Sequence, residues 1–441
     1  MPDRHSAAPP ETPVQPLIKG AFAVVFAVQF VVAIGNTGMQ SILPAIGREI
    51  GIPDPLVAAI YSLSALLWAA GAPYWAGRAD LRGRKPLIVL GLTGFMVSML
   101  GCTMVIYIGG KHWIAPMATF ILFLLARGIF GWFGSAATPA SQAYLAERTG
   151  RERRTEAIAG LAGAFGLGTI VGPAIAPLFL LPLLDLAGPT FAFAMIAGAM
   201  LIWVVLRLPE TWPPPSGLPG AAKAKGIKRA PMWKDPRVRP FLIYGFLVAS
   251  CQTAQYQTLG FLIIDKLQIP PMQAQGYTAI AMMGGAIAGL FAQWGLIRMF
   301  KMGPRHLLRW GVVLAAAANV LTAFAPTYWM VVLGFALSSL GYGFARPGFT
   351  AGASLSVDQA DQARAAGAVA AINGLNVIAA PLFVLLYQVV KPGPYLMNVA
   401  ILLGMLIYVL KEPLLRNAGL KPTTEQETAK SVERNDGSGG F

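Results

Sequence analysis

Ala76-Gly77-Arg78-Ala79-Asp80-Leu81-Arg82-Gly83-Arg84-Lys85-Pro86 sets four cations and one acid in eleven residues, between two long apolar runs. At bilayer mid-depth each Lys or Arg costs about 3 kcal/mol on insertion scales, so this knot of charge marks a water-facing turn at one membrane face. Around it the 441 residues are 56% hydrophobic and 12% charged, with a mean hydropathy of +0.60. Apolar runs of about 20 residues, enough to cross about 30 Å of hydrocarbon, recur along the chain. The sequence predicts twelve spans, over 18–46, 55–76, 86–108, 113–140, 156–182, 189–207, 239–263, 273–298, 304–325, 327–350, 365–390 and 394–411. With both termini on the face of the charged turn, that face holds 29 of the 34 Lys and Arg; Arg48, Lys111, Lys266 and Lys391 fall on the other, and Arg127 inside a span. This is the positive-inside pattern, which makes the termini cytoplasmic and points to a bacterial inner membrane. The net charge of +15 is thereby explained without nucleic acid. Cys102 and Cys251 lie within apolar runs and are expected as free thiols.

The charged turn resembles the loop between helices 2 and 3 of the major facilitator superfamily, G-x-L-A-D-R-x-G-R-K. Asp80, Gly83, Arg84 and Lys85 match its acid, glycine and basic pair, while Ala76 replaces the first glycine and Leu81 the first arginine. Arg127-Gly128-Ile129-Phe130-Gly131 resembles a second signature, R-x-x-q-G, with Phe130 where glutamine is common. Ser141 to Thr149, followed by Arg153-Arg154, looks like the helix 4–5 turn of tetracycline-exporter-type drug:proton antiporters. Gly168-x-x-x-Gly172-Pro173 resembles the antiporter motif G-x-x-x-G-P. The resemblance implies a conformational latch of Asp80, Gly83, Arg84, Lys85, Glu147, Arg153 and Arg154, and a bent, closely packed helix 5.

An internal repeat supports two halves. Ala176-Pro177-Leu178-Phe179 recurs as Ala380-Pro381-Leu382-Phe383, 204 residues later, and 298–305 reads as a decayed copy of the charged turn. The expected fold is therefore an all-α polytopic membrane protein, with twelve transmembrane helices in two pseudo-symmetric six-helix halves around a central cavity. The expected organisation is a flexible tail at 1–17, a six-helix domain at 18–207, a basic cytoplasmic linker at 208–238, a second six-helix domain at 239–412 and a tail at 413–441.

Polar residues inside the spans mark the candidate site. Gln29, Asn36 and Gln40 share one face of span 1; Tyr61 and Trp68 lie on span 2. Gln252, Gln255 and Tyr256 share a face of span 7, with Gln257 turned away toward a neighbouring helix, and Asn373 and Asn376 share a face of span 11. These amides either line a cavity or bond helix to helix. Arg127, near mid-membrane on span 4, needs a partner or a purpose. Arg346, near one end of span 10, is expected to snorkel to water.

All 19 acids fall outside mid-membrane, and His5, His112 and His306 lie in the tail or at helix ends. A buried cation without a buried carboxylate selects anionic, zwitterionic or neutral amphipathic solutes. The function expected is a secondary active transporter working by alternating access, in proton-coupled export. Asp80, Glu147, Glu49, Asp54, Asp185 and Asp265 are the proton candidates. The alternative is an importer or facilitator of an organic anion, by symport or uniport; the remote one is a non-transporting receptor or membrane enzyme. The expected partners are a small-molecule substrate, protons and membrane lipids, for a monomer without cofactor or metal.

Overall fold

The computed structural model describes residues 20–149, 151–180, 184–209, 232–358 and 361–419, without the side chains at 79–81, 146–147, 151–159, 162, 363, 370 and 373–374. The first half comprises α1 (Ala21–Ile50), α2 (Asp54–Arg82), α3 (Arg84–Gly110), α4 (Pro116–Ile129), α5 (Ala137–Arg148), α6 (Arg151–Ile175) and α7 (Gly188–Arg207). A π-helical turn, Phe130–Gly134, joins α4 to α5. The second half comprises α8 (Arg239–Leu267), α9 (Pro271–Leu290), α10 (Ile297–Met299), α11 (Pro304–Ala323), α12 (Tyr328–Leu355), α13 (Gln362–Leu375), α14 (Ala380–Val389), α15 (Gly393–Lys411) and the short α16 (Pro413–Arg416). Here a π segment, Phe291–Leu296, joins α9 to α10.

Among the described residues, nine helical stretches are long and apolar enough to cross a membrane, and they coincide with predicted spans 1–4, 6, 8–10 and 12. Over the other three predicted spans the described residues form α8 and two shorter apolar helices, Gly163–Phe179 and Asn376–Val389. Span 7 is α8, 29 residues long, but its Gln- and Thr-rich middle lowers its hydropathy. Span 5 leaves α geometry at the 3-10 turn Ala176–Phe179, and span 11 at the 3-10 turn Asn376–Ala379. The first break is the Ala-Pro-Leu-Phe repeat itself and the second is the four residues before it; in each, the ring of Pro177 or Pro381 clashes with the preceding turn, and proline lacks a backbone donor.

Each half has its own apolar core. Phe95, Phe123 and Phe193 anchor the first, which also takes in Phe261, Val384 and Tyr387 of the second half; Phe241, Tyr244, Tyr342 and Phe349 anchor the second. A buried amide chain ties the second half together. Asn398 donates to the Cys251 carbonyl at 2.9 Å and to Asn319 Oδ1 at 3.0 Å, while Asn319 donates to the Tyr342 hydroxyl at 3.2 Å. Cys102 and Cys251 are free and buried, as expected.

Helix α6 is seated on α1 through its glycines. A Cβ added at Gly172 would lie 2.4 Å from the Ile34 carbonyl oxygen, and one at Gly168 would lie 2.5 Å from the Ala33 Cβ. Thr37 seals the seam by donating to the Gly168 carbonyl at 3.2 Å. Pro173 lies inside α6 just before its 3-10 break, and Gly163 and Gly166 approach Trp294 and Leu290 in the other half. So one glycine-rich helix holds its own domain on one side and meets the opposite one on the other.

The halves close on each other at the end of the bundle that carries Arg48. Arg48, in the last turn of α1, donates to Asp54 of α2 at 2.8 and 3.2 Å and to Asp265 of α8. Asp265 also accepts from the Tyr387 hydroxyl at 2.8 Å and pairs with Lys391 at 3.3 Å. Nearby, a Cβ on Gly260 of α8 would lie 2.4 Å from the Pro44 ring of α1, and Ser62 of α2 donates to the Val377 carbonyl at 2.8 Å. At the opposite, linker end the described ion pairs stay within one half. Arg237 joins Asp235 at 2.8 Å and Asp361 at 3.3 Å, holding the Asp235 carboxyl below its usual range through hydrogen bonding.

The glycine seam and the Arg48 closure can each be probed by substitution. Gly172→Val drives a branched side chain into backbone and is expected to cost about 1–3 kcal/mol, read as a fall in melting temperature. Gly77→Ala, with nothing within 4 Å of the new methyl, is expected to be neutral or up to about 1 kcal/mol stabilising, so equal effects would contradict the seam. Asp265→Asn removes the carboxylate shared by both halves. Labelling of a Gln257→Cys reporter by an impermeant maleimide applied at the Arg48 end is expected to rise about threefold or more, as suits an ion pair of about 0.5–1 kcal/mol; unchanged labelling would contradict the closure.

Candidate functional site

Arg127 lies in the last turn of α4 and is 1% exposed. The π turn that follows brings Phe130 beside it and sets Gly131 against α2, where a Cβ would lie 2.6 Å from the Ser64 carbonyl oxygen. π turns of this kind recur at functional sites because the extra residue redirects side chains. The guanidinium is sandwiched by rings, with its carbon 4.6 Å from the Phe130 centroid and 5.0 Å from that of Tyr61. Nη2 donates to Asn36 Oδ1 of α1, and the Tyr61 hydroxyl donates to the Asn36 carbonyl at 3.2 Å. Nε and Nη1 are buried without a hydrogen-bond partner. No carboxylate reaches Arg127 among the described residues.

Two unsatisfied donors on a buried cation are costly, and cation–π contact recovers only part of the lost hydration. The arrangement is thus incomplete in the protein alone and is suited to an acceptor that arrives from outside.

Beyond the Tyr61 ring that Arg127 stacks on, a small cavity opens between α1, α2 and α8, lined by Gln40, Pro44, Tyr61, Tyr256, Gln257 and Phe261 among others. The structure therefore gathers Arg127, Asn36, Tyr61, Gln40 and Tyr256 into one neighbourhood. Trp68 supports it from behind, its ring 5.3 Å from that of Phe130. Other expected lining residues sit elsewhere. Gln29 is buried and accepts from Thr138 at 3.3 Å, a bond from helix to helix. Gln252 is half-buried, and Gln255 is buried with both amide atoms unpartnered. Asn376 is buried in the 3-10 turn with its Oδ1 unpartnered, and the Asn373 side chain lies outside the described ones.

Gln257 differs from expectation, since it lines the cavity instead of facing away from it. Helix α8 is wedged between halves, so more than one of its faces is interior. Arg346 is exposed, as a side chain reaching water is, and lies within electrostatic range of the Tyr256 phenol. Of the latch, Gly83 takes φ 89° at the α2–α3 turn, a conformation that favours glycine. Lys85 donates to the Val205 carbonyl at 2.9 Å within its own half, and Arg84 is half-buried. Asp80, Glu147, Arg153 and Arg154 lie outside the described side chains.

Comparison with known proteins agrees with this architecture. The chain is 27% identical to Multidrug resistance protein 1 of Bacillus subtilis over 334 residues, 73% of this chain and 78% of that protein. It is 26% identical to the class G Tetracycline resistance protein of Vibrio anguillarum over 407 residues, 87% of this chain and 94% of the relative. Its fold matches the crystal structure of the human organic anion transporter MFSD10 (TETRAN) at a TM-score of 0.63 and 20% identity, covering 89% of this chain and all of that one (100%). It matches the nucleoside transporter NupG at 0.66 and 14%, covering 88% and 98%. These structural likenesses establish the fold alone. The profile of the Major Facilitator Superfamily matches residues 25–301, more than half of the chain; this protein, an integral membrane transporter by fold and sequence, belongs to that superfamily.

Proposed function

We propose that this chain exports a small amphipathic organic molecule, anionic, zwitterionic or neutral, across the cytoplasmic membrane in exchange for protons, by alternating access around the Arg127 cavity. The observation that carries the reading is the Arg127 guanidinium, buried with Nε and Nη1 unpartnered and with no described carboxylate beside it. In a low-dielectric cavity such a charge attracts an anionic group strongly and repels a cation. Asn36, Tyr61, Gln40, Tyr256 and Gln257 supply the polar and aromatic lining that orients the rest of the solute.

The names of the relatives, multidrug and tetracycline resistance proteins, favour export. The human structural neighbour, an organic anion transporter, shares the fold alone, and the importer alternative stands beside export. The moving bodies in this reading are 18–207 and 239–412, joined by the basic linker 208–238 and flanked by tails at 1–17 and 413–441, in a monomer that transports its solute without transforming it. With the linker end in the cytoplasm, as the charge distribution indicates, the Arg48 end is outer and the closure there describes an inward-facing state. Asp265, shared between the halves at that closure, is then the acid best placed to couple protonation to opening. Asp80, Glu147, Arg153 and Arg154 would latch the inner end in the opposite state.

Arg127→Ala, assayed in proteoliposomes against a panel of anionic, zwitterionic and cationic amphiphiles, is expected to lower transport of the anionic solute at least about tenfold, since hydrogen bonds to charged groups are worth about 1.5–3 kcal/mol. Arg127→Lys keeps the charge without the fork geometry and should retain part of the rate. A folded Arg127→Ala protein that transports at the wild-type rate would overturn the reading. The direction of net flux in oriented vesicles decides between export and import.

A further inference from the structure

A second cation faces inward from the other half of the protein. Arg346 falls on the stripe of α12 that also carries Phe335 and Ser339, spaced eleven and seven residues before it and so on one helical face. That stripe points inward. Phe335 stacks edge-on against Tyr256 with ring centroids 5.0 Å apart, and a Cβ on Gly285 of α9 would lie 2.3 Å from Phe335 and 2.8 Å from the Ser339 hydroxyl. The contacts of α12 with α11, through Gly341, Ala345 and Gly348, lie on a different face. Further along the stripe Arg346 is exposed, so α9 no longer covers it and the space it enters lies within the bundle. Helical side chains lean toward the N-terminus of their helix, which aims Arg346 back toward Tyr256. The electrostatic interaction between the two groups agrees with that direction.

Arg346 has no hydrogen-bond or ion-pair partner among the described residues. Of the described acids on its side of the bundle, Asp235, Asp358 and Asp361 pair with Arg237, and Asp361 also with Arg364 at 2.8 Å, while Glu412 lies at the end of α15 near Tyr408. Its depth can be read from the internal symmetry. Gly91 meets Ala137 in the first half as Gly311 meets Ala345 in the second, so Arg346 corresponds in level to Thr138, eleven residues beyond Arg127. That is about 16 Å along a helix axis, before the reach of either side chain. By the same correspondence Phe335 is level with Arg127, so Tyr256, stacked on Phe335, and Tyr61 and Phe130, stacked on Arg127, set aromatic rings at the Arg127 level, with Arg346 about three helical turns further along.

We infer that the cavity is a two-pole site for an elongated organic dianion, with one anionic group on Arg127 of the first half and the other on Arg346 of the second. The inference rests on the anion reading above and narrows it. Arg127 is buried and Arg346 is exposed, each with donors free of a described carboxylate, so a solute with two negative charges can pair with both. A solute held at both poles links the two halves that must move.

The test compares decanedioate with decanoate as stabilisers of the purified full chain in a neutral detergent, read as the half-saturating concentration for thermal stabilisation. Decanedioate is expected to act at about tenfold lower concentration than decanoate, the worth of one added charge-assisted hydrogen bond. Arg346→Gln should raise the decanedioate value to that of decanoate and leave decanoate unchanged, and Arg346→Lys should restore much of the difference. In the unmodified chain, stabilisation across octanedioate, decanedioate and dodecanedioate should pass through an optimum length, a result that needs no variant to fold. Equal action of the mono- and dianion, with Arg127→Gln abolishing both, would overturn the two-pole site and leave the anion reading intact. Stabilisation by cations alone, indifferent to Arg127, would overturn both.

Discussion

A guanidinium held inside the bundle without a carboxylate is the constraint to which the rest of the molecule answers. Burying an ion costs several kcal/mol unless hydrogen bonds and opposite charge compensate it. Here Asn36 supplies one acceptor, and Tyr61 and Phe130 supply ring faces. The compensation is partial, because Nε and Nη1 stay unpartnered. Asn36 comes from α1, Tyr61 from α2 and Phe130 from the π turn after α4, so Arg127 draws three elements of the first half toward one point. Helix α1 in turn reaches that point because Gly168 and Gly172 let α6 press against it backbone to backbone. In lipid, where no hydrophobic effect drives helices together, such close seams are what holds a domain rigid enough to move as a body.

The closure at the Arg48 end follows a different logic. Arg48, Asp265 and Lys391 come from both halves and are partly exposed, with Asp54 and Tyr387 buried beside them. Partly exposed ion pairs are weak, of the order of 1 kcal/mol, and weakness suits a contact that must open. Rigid glycine seams within a half and weak charged contacts between halves are what a rocking mechanism requires, since each half keeps its shape while the interface exchanges partners. The breaks at Ala176–Phe179 and Asn376–Ala379 lie on the Ala-Pro-Leu-Phe repeat in the first half and one turn before it in the second, and Asn376 in the second break is buried with a free acceptor.

Much of this fold is legible in the sequence because membrane insertion imposes length, apolarity and charge asymmetry that can be counted. The glycine positions and Pro173 are likewise readable as a close, bent helix. Helix α8 shows why the site is less legible. Periodicity assumes one wet face, but α8 is wedged between the halves, so Gln257 lines the cavity alongside Tyr256 while Gln255 is sealed in protein. Arg346 can be placed near a helix end by counting, yet only the contact of Phe335 with Tyr256 reveals which way its stripe points. The π turn at Phe130–Gly134 leaves no mark of its own in the sequence, since Phe130 reads as a lost glutamine and not as the ring that covers Arg127.

The central claim, that the unpartnered face of Arg127 is completed by an anion, is tested most directly by locating one. Crystals grown with 4-bromobenzenesulfonate would show the bromine by anomalous scattering and the sulfonate by density. The expected result places the sulfonate oxygens within hydrogen-bond distance of Arg127 Nε or Nη1, with the ring against Tyr61. A sulfonate bound elsewhere in the cavity, with Arg127 Nε and Nη1 still unpartnered at saturating concentration, would contradict it.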